Sequence, residues 1–238
     1  MDEAIETLRS WIAACDNIVF FGGAGVSTES GIPDFRSVDG LYSMKFKYPP
    51  ETMLSHTFFE THTAEFFDFY RQKMLPLDYA PNAAHYKLAE LERQGRVRAV
   101  VTQNIDGLHT RAGSKTVYEL HGSCYRNHCL RCGKFYGPEW IRDSQGIPRC
   151  SCGGIVKPDV VLYEEGLDAA CIEGAVQAIS RAKMLIVGGT SLTVYPAAGL
   201  LQYYSGQQLV LINRDPTPAD LRADLTIRAP IGAVFAQI

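Results

Sequence analysis

Four cysteines stand in two close pairs, Cys129-Leu130-Arg131-Cys132 and Cys150-Ser151-Cys152. Thiolates spaced this way can converge on one tetrahedral ion, and an all-sulfur set favours Zn²⁺. Four sulfurs leave no position for a reactive water, so the expected ion is a single structural zinc on Cys129, Cys132, Cys150 and Cys152. The chain has seven cysteines, an odd count that excludes complete disulfide pairing. Close pairs in a reducing compartment point to metal rather than to disulfides. Cys124 lies five residues upstream and is left out of the set. Cys15 and Cys171 fall in helix-like segments and read as small hydrophobes.

A second chemistry is suggested by Gly22-Gly23-Ala24-Gly25-Val26-Ser27, which follows the apolar run Ile18 to Phe21. Glycines at a strand end let bare backbone N–H groups approach a pyrophosphate. The dinucleotide fingerprint asks for a third glycine, and counting Gly23 as the first puts Thr28 there. A tight strand-to-helix turn is the alternative. Polar residues also follow the run Val97 to Val101, as Thr102-Gln103-Asn104-Ile105-Asp106-Gly107. Asp-Gly by itself favours a turn, so Asp106 has a capping reading beside a functional one. His121 precedes Gly122. An imidazole with an ordinary pKa near ~6.5 can accept a proton at neutral pH, although a lone histidine is also compatible with a structural role.

These groups need elements to place them. Residues 2–15 carry Ile5, Leu8, Ile12 and Cys15 at helical spacing. Short apolar runs at 18–21, 97–101, 160–163, 184–187 and 209–212 read as buried strands. Helix-like stretches near 168–182 and 196–204 lie between the last three. Strand and helix in alternation imply an α/β, doubly wound parallel (Rossmann-like) sheet. Two stretches break the rhythm. Residues 41–85 are rich in aromatics and read as helical, with Asn82 after Pro81 as a helix cap. Residues 124–157 hold the cysteine pairs. Both are taken as insertions forming a smaller helical and zinc-binding module. The expected organisation is one catalytic domain over 1–238, with Rossmann-like parts 1–40, 86–123 and 158–238 and the small module from 41–85 and 124–157.

Composition narrows the function. The 238 residues are 46% hydrophobic and 21% charged, with a formal net charge of -3, which gives no basic surface for nucleic acid and none for an anionic membrane. No apolar run approaches the ~20 residues of a membrane span, and no leader pattern opens the chain. A cytoplasmic location is expected.

Taken in order, GAGVSTESGIPDFRS (23–37), TQNIDGLH (102–109), ELHGS (119–123), Gly189-Thr190-Ser191 and Asn213 resemble the sirtuin family over nearly the whole chain. The resemblance implies an NAD-dependent protein-lysine deacetylase that yields nicotinamide, O-acetyl-ADP-ribose and free lysine. It places Ala24 and Thr28 at the pyrophosphate, and Phe35 and Arg36 on a loop closing over the nicotinamide ribose. Gln103, Asn104, Ile105 and Asp106 then take the carboxamide and ribose, and Thr190, Ser191, Asn213 and Ile231 the adenosine end. His121 becomes the general base that removes a ribose hydroxyl proton before that oxygen attacks the acyl carbon. Asn104 and Asp106 orient the ribose and carboxamide, and Ser27 and Arg36 stand in a second tier. The remaining histidines, His56, His62, His85 and His128, read as surface or packing residues, and His109 as structural near the pocket.

The acetyl-lysine peptide is expected to bind as an added strand, against Val160, Val161 and Tyr163 on one side and Thr193 on the other. The family pattern Gly-Glu after the peptide-binding strand is replaced here by Glu164-Glu165. Relatives that remove succinyl or malonyl groups carry a Tyr-x-x-Arg pair in the helical insertion. Those positions fall here on Phe67 and Tyr70, with Arg71 out of register, so acetyl is expected well ahead of succinyl. Two other readings remain at this stage. An ordinary dehydrogenase would need the missing third glycine. An NAD-binding regulatory module, or a protein ADP-ribosyltransferase, would share the cofactor residues.

Overall fold

The computed structural model describes residues 2–34 and 46–238. Among the described residues the strands are β1 (Ile18–Gly22), β2 (Val97–Thr102), β3 (Val117–Glu119), β4 (Gly122–Cys129), β5 (Phe135–Tyr136), β6 (Val156–Val160), β7 (Met184–Gly188), β8 (Gln208–Ile212) and β9 (Leu225–Ile227). Six of them form one sheet in the order β3-β2-β1-β7-β8-β9, and every pairing in it is parallel. The chain winds outward from β1 in one direction and from β7 in the other. In such a sheet, ligands bind at the carboxyl ends of the strands where the winding reverses, here between β1 and β7.

The apolar runs become strands because both of their faces are covered. All five residues of β1 are buried. Ile18 and Phe20 pack with Leu8 and Ile12 of α1 (Asp2–Ala14), Leu88 of α5 (Ala83–Arg93) and Phe235 of α9 (Ile231–Phe235). Val19 and Phe21 point the other way, against Ala175 and Ile179 of α8 (Ala169–Arg181) and Leu200 and Leu201 of a 3₁₀ segment, Ala197–Tyr203. The period of two along the strand thus feeds two separate cores.

The second sheet is antiparallel, in the order β5-β4-β6. It packs with the short helices α2 (Pro50–Met53), α3 (His56–Thr61) and α4 (Thr63–Lys73), and with α7 (Pro138–Asp143). Phe58, Phe59, Phe66, Phe67 and Tyr70 share one hydrophobic cluster with Ile141, Val156, Cys129 and Cys150. The aromatic insertion and the cysteine insertion therefore bury their apolar surface against each other. The remaining described helix, α6 (Leu108–Ala112), follows Gly107.

Four expectations are corrected. The run at 160–163 is not a strand of the parallel sheet. Its first residue ends β6, which pairs antiparallel with β4. Pro158 lies within β6, and proline suits an edge strand, which β6 is. Strands β3 and β9 went unanticipated, because each is three residues long and only partly buried. The stretch 196–204 forms a 3₁₀ segment rather than an α-helix. Cys15 lies just beyond α1, although it is buried as its spacing suggested. Strands β4 and β6 also run across the expected boundaries at 123/124 and 157/158.

Candidate functional site

The glycine-rich turn begins where β1 ends. Residues Ala24–Val26 form a 3₁₀ turn, and Gly25 N–H donates to the Gly189 carbonyl at 2.8 Å. A Cβ on Gly25 would lie 2.9 Å from Gly189 Cα, and one on Gly23 2.9 Å from Thr190 Cβ. Gly189 itself has φ +58°. The two strand ends thus close backbone against backbone, which side chains would prevent. Ala24 N–H, half-buried at the head of the turn, has no partner among the described residues. A free N–H at a glycine-rich strand end is what a pyrophosphate oxygen requires.

The loop after β2 is locked to this turn by a buried chain of hydrogen bonds. Asn104 Nδ2 donates to Ser27 Oγ at 3.0 Å, and Ser27 Oγ donates to Asp106 Oδ2 at 2.6 Å. Asp106 Oδ1 accepts from Leu108 N–H at 3.0 Å, so this residue holds the first N–H of α6 and binds Ser27 at once. Burial raises its carboxyl pKa, and the Ser27 hydrogen bond opposes that rise. Gln103 Nε2 donates to Thr190 Oγ1 at 3.0 Å, which links the ends of β2 and β7. Ser27 is 1% exposed and proves to be the hub of the site. In the sequence it stood only in the second tier that the family resemblance implied.

His121 is oriented by the same loop. Its Nδ1 lies 2.9 Å from the Gln103 carbonyl oxygen. A carbonyl can only accept, so Nδ1 carries the proton and Nε2 presents its lone pair. Burial lowers the pKa of the ring, and the Gln103 hydrogen bond partly offsets this. The imidazole is therefore neutral at neutral pH and can act as a base at Nε2.

The other expected residues follow the ends of β7 and β8 or lie in or against a hydrophobic core. Ser191 is exposed and its Oγ lies 2.8 Å from Thr193 Oγ1. Asn213 ends the β8 side, where its backbone N–H donates to Ile227 O and its side chain to Asp215 O. The Ile231 side chain is 2% exposed and belongs to the core, so any ligand contact there comes from its backbone. Ile105 is partly buried against the small module's core. Phe35 and Arg36 lie outside the described residues.

Around the expected peptide edge, Val161 N–H donates to the His121 carbonyl at 3.0 Å. Leu162 N–H goes to Glu165 Oε2 and Tyr163 N–H to Leu54 O. These three N–H groups are taken, and the carbonyls of Val160, Leu162 and Tyr163 already accept from Lys157 Nζ, Glu165 N–H and His56 N–H. Glu164 has φ +76°, a left-handed conformation costly for any residue but glycine. Its carboxylate accepts from Thr57 N–H and Thr57 Oγ at 2.9 and 2.7 Å, contacts that a glycine could not make.

The cysteine sulfurs all lie within 4.8 Å of one another. Cys129 and Cys152 are 3.4 Å apart, Cys132 and Cys150 3.6 Å, and Cys132 and Cys152 3.5 Å. These are too long for disulfides, and a tetrahedral ion with Zn–S bonds of ~2.3 Å sets S···S near ~3.8 Å. The residues fit zinc. His128 turns instead to Asp159, at 2.8 Å. Arg71 is likewise occupied, bonding Ile141 O, Ser144 Oγ and Gly146 O around the end of α7.

The Sir2 family model matches residues 23–196. The chain is 60% identical to an "NAD-dependent protein deacetylase" of Clostridium acetobutylicum, over 99% of this chain and 98% of that protein. It is 57% identical to a protein of the same name from Clostridium perfringens, over 100% and 99%. Among solved structures, a Sir2 with p53 peptide and NAD⁺ superposes with TM-score 0.86 at 38% identity, covering 98% of this chain and 96% of that one. A Sir2 with deacetylated p53 peptide and 3'-O-acetyl ADP ribose gives 0.89 at 38% identity, with the same coverage.

Proposed function

The chain belongs to the Sir2 family, and from that premise we propose that it is an NAD-dependent protein-lysine deacetylase whose proton-accepting group is His121. The observation that carries this reading is the tautomer of His121, fixed by the Gln103 carbonyl, with no partner on Nε2 among the described residues. The loop that supplies this carbonyl also carries Asn104 and Asp106, both bonded to Ser27. NAD, when bound, supplies an activated ribose carbon and a good leaving group.

The chain's own residues do the rest. The turn at Ala24 and Thr28 receives the pyrophosphate, with Phe35 and Arg36 covering the ribose. Gln103, Asn104, Ile105 and Asp106 hold the nicotinamide half, and Thr190, Ser191, Asn213 and the backbone at Ile231 the adenosine half. His121 Nε2 takes the ribose hydroxyl proton. Zinc on Cys129, Cys132, Cys150 and Cys152 would hold the small module's shape and contribute no reactive ligand.

Acetyl-lysine proteins or peptides are the partners, entering between the Val160–Tyr163 segment and Thr193. Backbone pairing reads few side chains, so sequence preference is weak. Seven cysteines without a disulfide suit a reducing cytoplasm, and no described helix is long and apolar enough to cross a membrane.

The acyl preference follows from Arg71. With its guanidinium committed to α7, and Phe67 and Tyr70 fully buried, these three positions offer no cation to an acidic acyl chain, whose desolvation is then uncompensated there. The test incubates the protein with NAD and matched acetyl- and succinyl-lysine peptides and weighs the products. Free lysine peptide plus O-acetyl-ADP-ribose is expected, with kcat/KM for acetyl at least roughly tenfold above succinyl, the factor that 1.4 kcal/mol supplies. Intact peptide and a mass gain on protein would identify ADP-ribosyl transfer instead. Equal rates on the two peptides would overturn the acyl assignment.

A further inference from the structure

Asn82 reads from sequence as a helix cap, and that role uses only half of its side chain. Its Oδ1 accepts from Ala84 N–H at 3.0 Å, the ordinary work of a cap. Its backbone N–H donates to His85 Nδ1 at 3.2 Å, which completes a capping box at the head of α5. The amide nitrogen points the other way. Nδ2 donates to the Val26 carbonyl at 2.7 Å and to Ser30 Oγ at 3.0 Å. The amide orientation is not ambiguous, because Ala84 N–H can only donate and the Val26 carbonyl can only accept.

The two acceptors bracket Ser27 and Thr28. Elsewhere the turn is held on the sheet side by Gly25 N–H on Gly189 O and by Ser27 on Asp106, and at Glu29, whose carboxylate accepts from Gly232 N–H of α9. Asn82 grips it from across, and its helix is anchored by Leu88 and Leu91 in the main core. His85 is fully buried and fixes the backbone from which the amide extends. We infer that Asn82 is a positioning residue for NAD binding, holding residues 24–30 at the angle a pyrophosphate requires through Val26 and Ser30. The inference rests on the reading of this turn as the pyrophosphate site.

Two substitutions separate the cap from the clamp. Asn82→Asp keeps a cap of equal rank and a favourable charge at a helix start, but it has no hydrogen to donate. Asn82→Gly weakens the cap only slightly and also lacks the donor, without setting a carboxylate against the Val26 carbonyl. Both are expected to raise KM for NAD about tenfold, the equivalent of one net hydrogen bond of roughly 1.4 kcal/mol. Both should leave kcat within about twofold and KM for the acetyl peptide unchanged, a split that general loosening would not give. If Asn82→Asp fails to fold, Asn82→Gly decides. Either folded variant with wild-type KM for NAD overturns the inference, and so does an equal rise in KM for peptide. A wild-type protein that neither binds nor consumes NAD would overturn both this inference and the functional reading. Wild-type turnover with unaffected variants would overturn the inference alone.

Discussion

The reactivity of His121 is set by an atom from another loop. Gln103 lends its carbonyl to Nδ1, and burial disfavours the charged ring. The hydrogen bond fixes the tautomer, and burial, which outweighs the opposing pull of that bond on the pKa, keeps Nε2 unprotonated. Since the pKa is lowered, the base form persists as pH falls below the ordinary ~6.5, and protonation costs activity only beneath that value. The acid limb of kcat against pH is therefore expected below ~6.5, as measured on an acetyl peptide at saturating NAD. His121→Ala should abolish that limb and cut turnover by roughly 10²–10⁴-fold, the range for loss of a general base, with NAD affinity largely retained by calorimetry. Near wild-type turnover in the variant would remove His121 from the mechanism. The same scale explains Glu164. Its left-handed backbone is costly, and two hydrogen bonds to Thr57 at the start of α3 offset that cost.

At the scale of elements, the small module depends on two loops brought together by sulfur. Arg131 N–H donates to Cys129 Sγ at 3.4 Å, and a Cβ on Gly154 would sit 2.6 Å from the same sulfur. The backbone wraps one thiolate closely. Cys129→Ala or Cys150→Ala should release about one zinc per chain by metal analysis and lower the melting temperature, because removing a structural ion removes folding free energy. A metal-free protein with unchanged melting and activity would sink the zinc assignment. The peptide edge calls for a different probe. Proline at Val161 would break the bond from its N–H to the His121 carbonyl and so confuse substrate binding with catalysis. Thr193→Pro avoids this. It should raise KM for peptide severalfold more than KM for NAD, since a strand-adding edge loses a backbone donor. Equal changes in both constants would argue against this edge.

For the whole molecule, the critical joint is Gly122. Chain leaving β3 passes through Glu119 and His121 and turns at once into β4 of the second sheet. Gly122 has φ +76°, and a Cβ there would lie 1.7 Å from Asp159 O. No rotamer change relieves a clash with backbone. Gly122→Ala should cost at least ~1–3 kcal/mol in denaturant titration, the scale of a strained backbone residue, with activity falling further because His121 moves with the joint. A stable, active variant would show that the two sheets are less tightly registered than this contact implies.

Local chemistry made much of this protein legible without a structure. The apolar runs at 18–21, 97–101, 184–187 and 209–212 could be read as buried parallel strands because both faces of each are apolar, Arg98 at the start of the second excepted. The cysteine spacing fitted zinc because close thiolate pairs have few other uses in a reducing compartment. The glycine turn and His121 could be placed at strand ends by motif. What the sequence hid were pairings between distant segments. The fate of 160–163 depended on β4, a strand whose partner lies some thirty residues away, and apolarity alone does not specify a partner. The hub role of Ser27, the donor side of Asn82 and the tautomer of His121 each rest on a hydrogen bond to a residue on a different loop. Such bonds depend on distance and angle, which residue type and spacing do not carry, so only the folded chain could decide them.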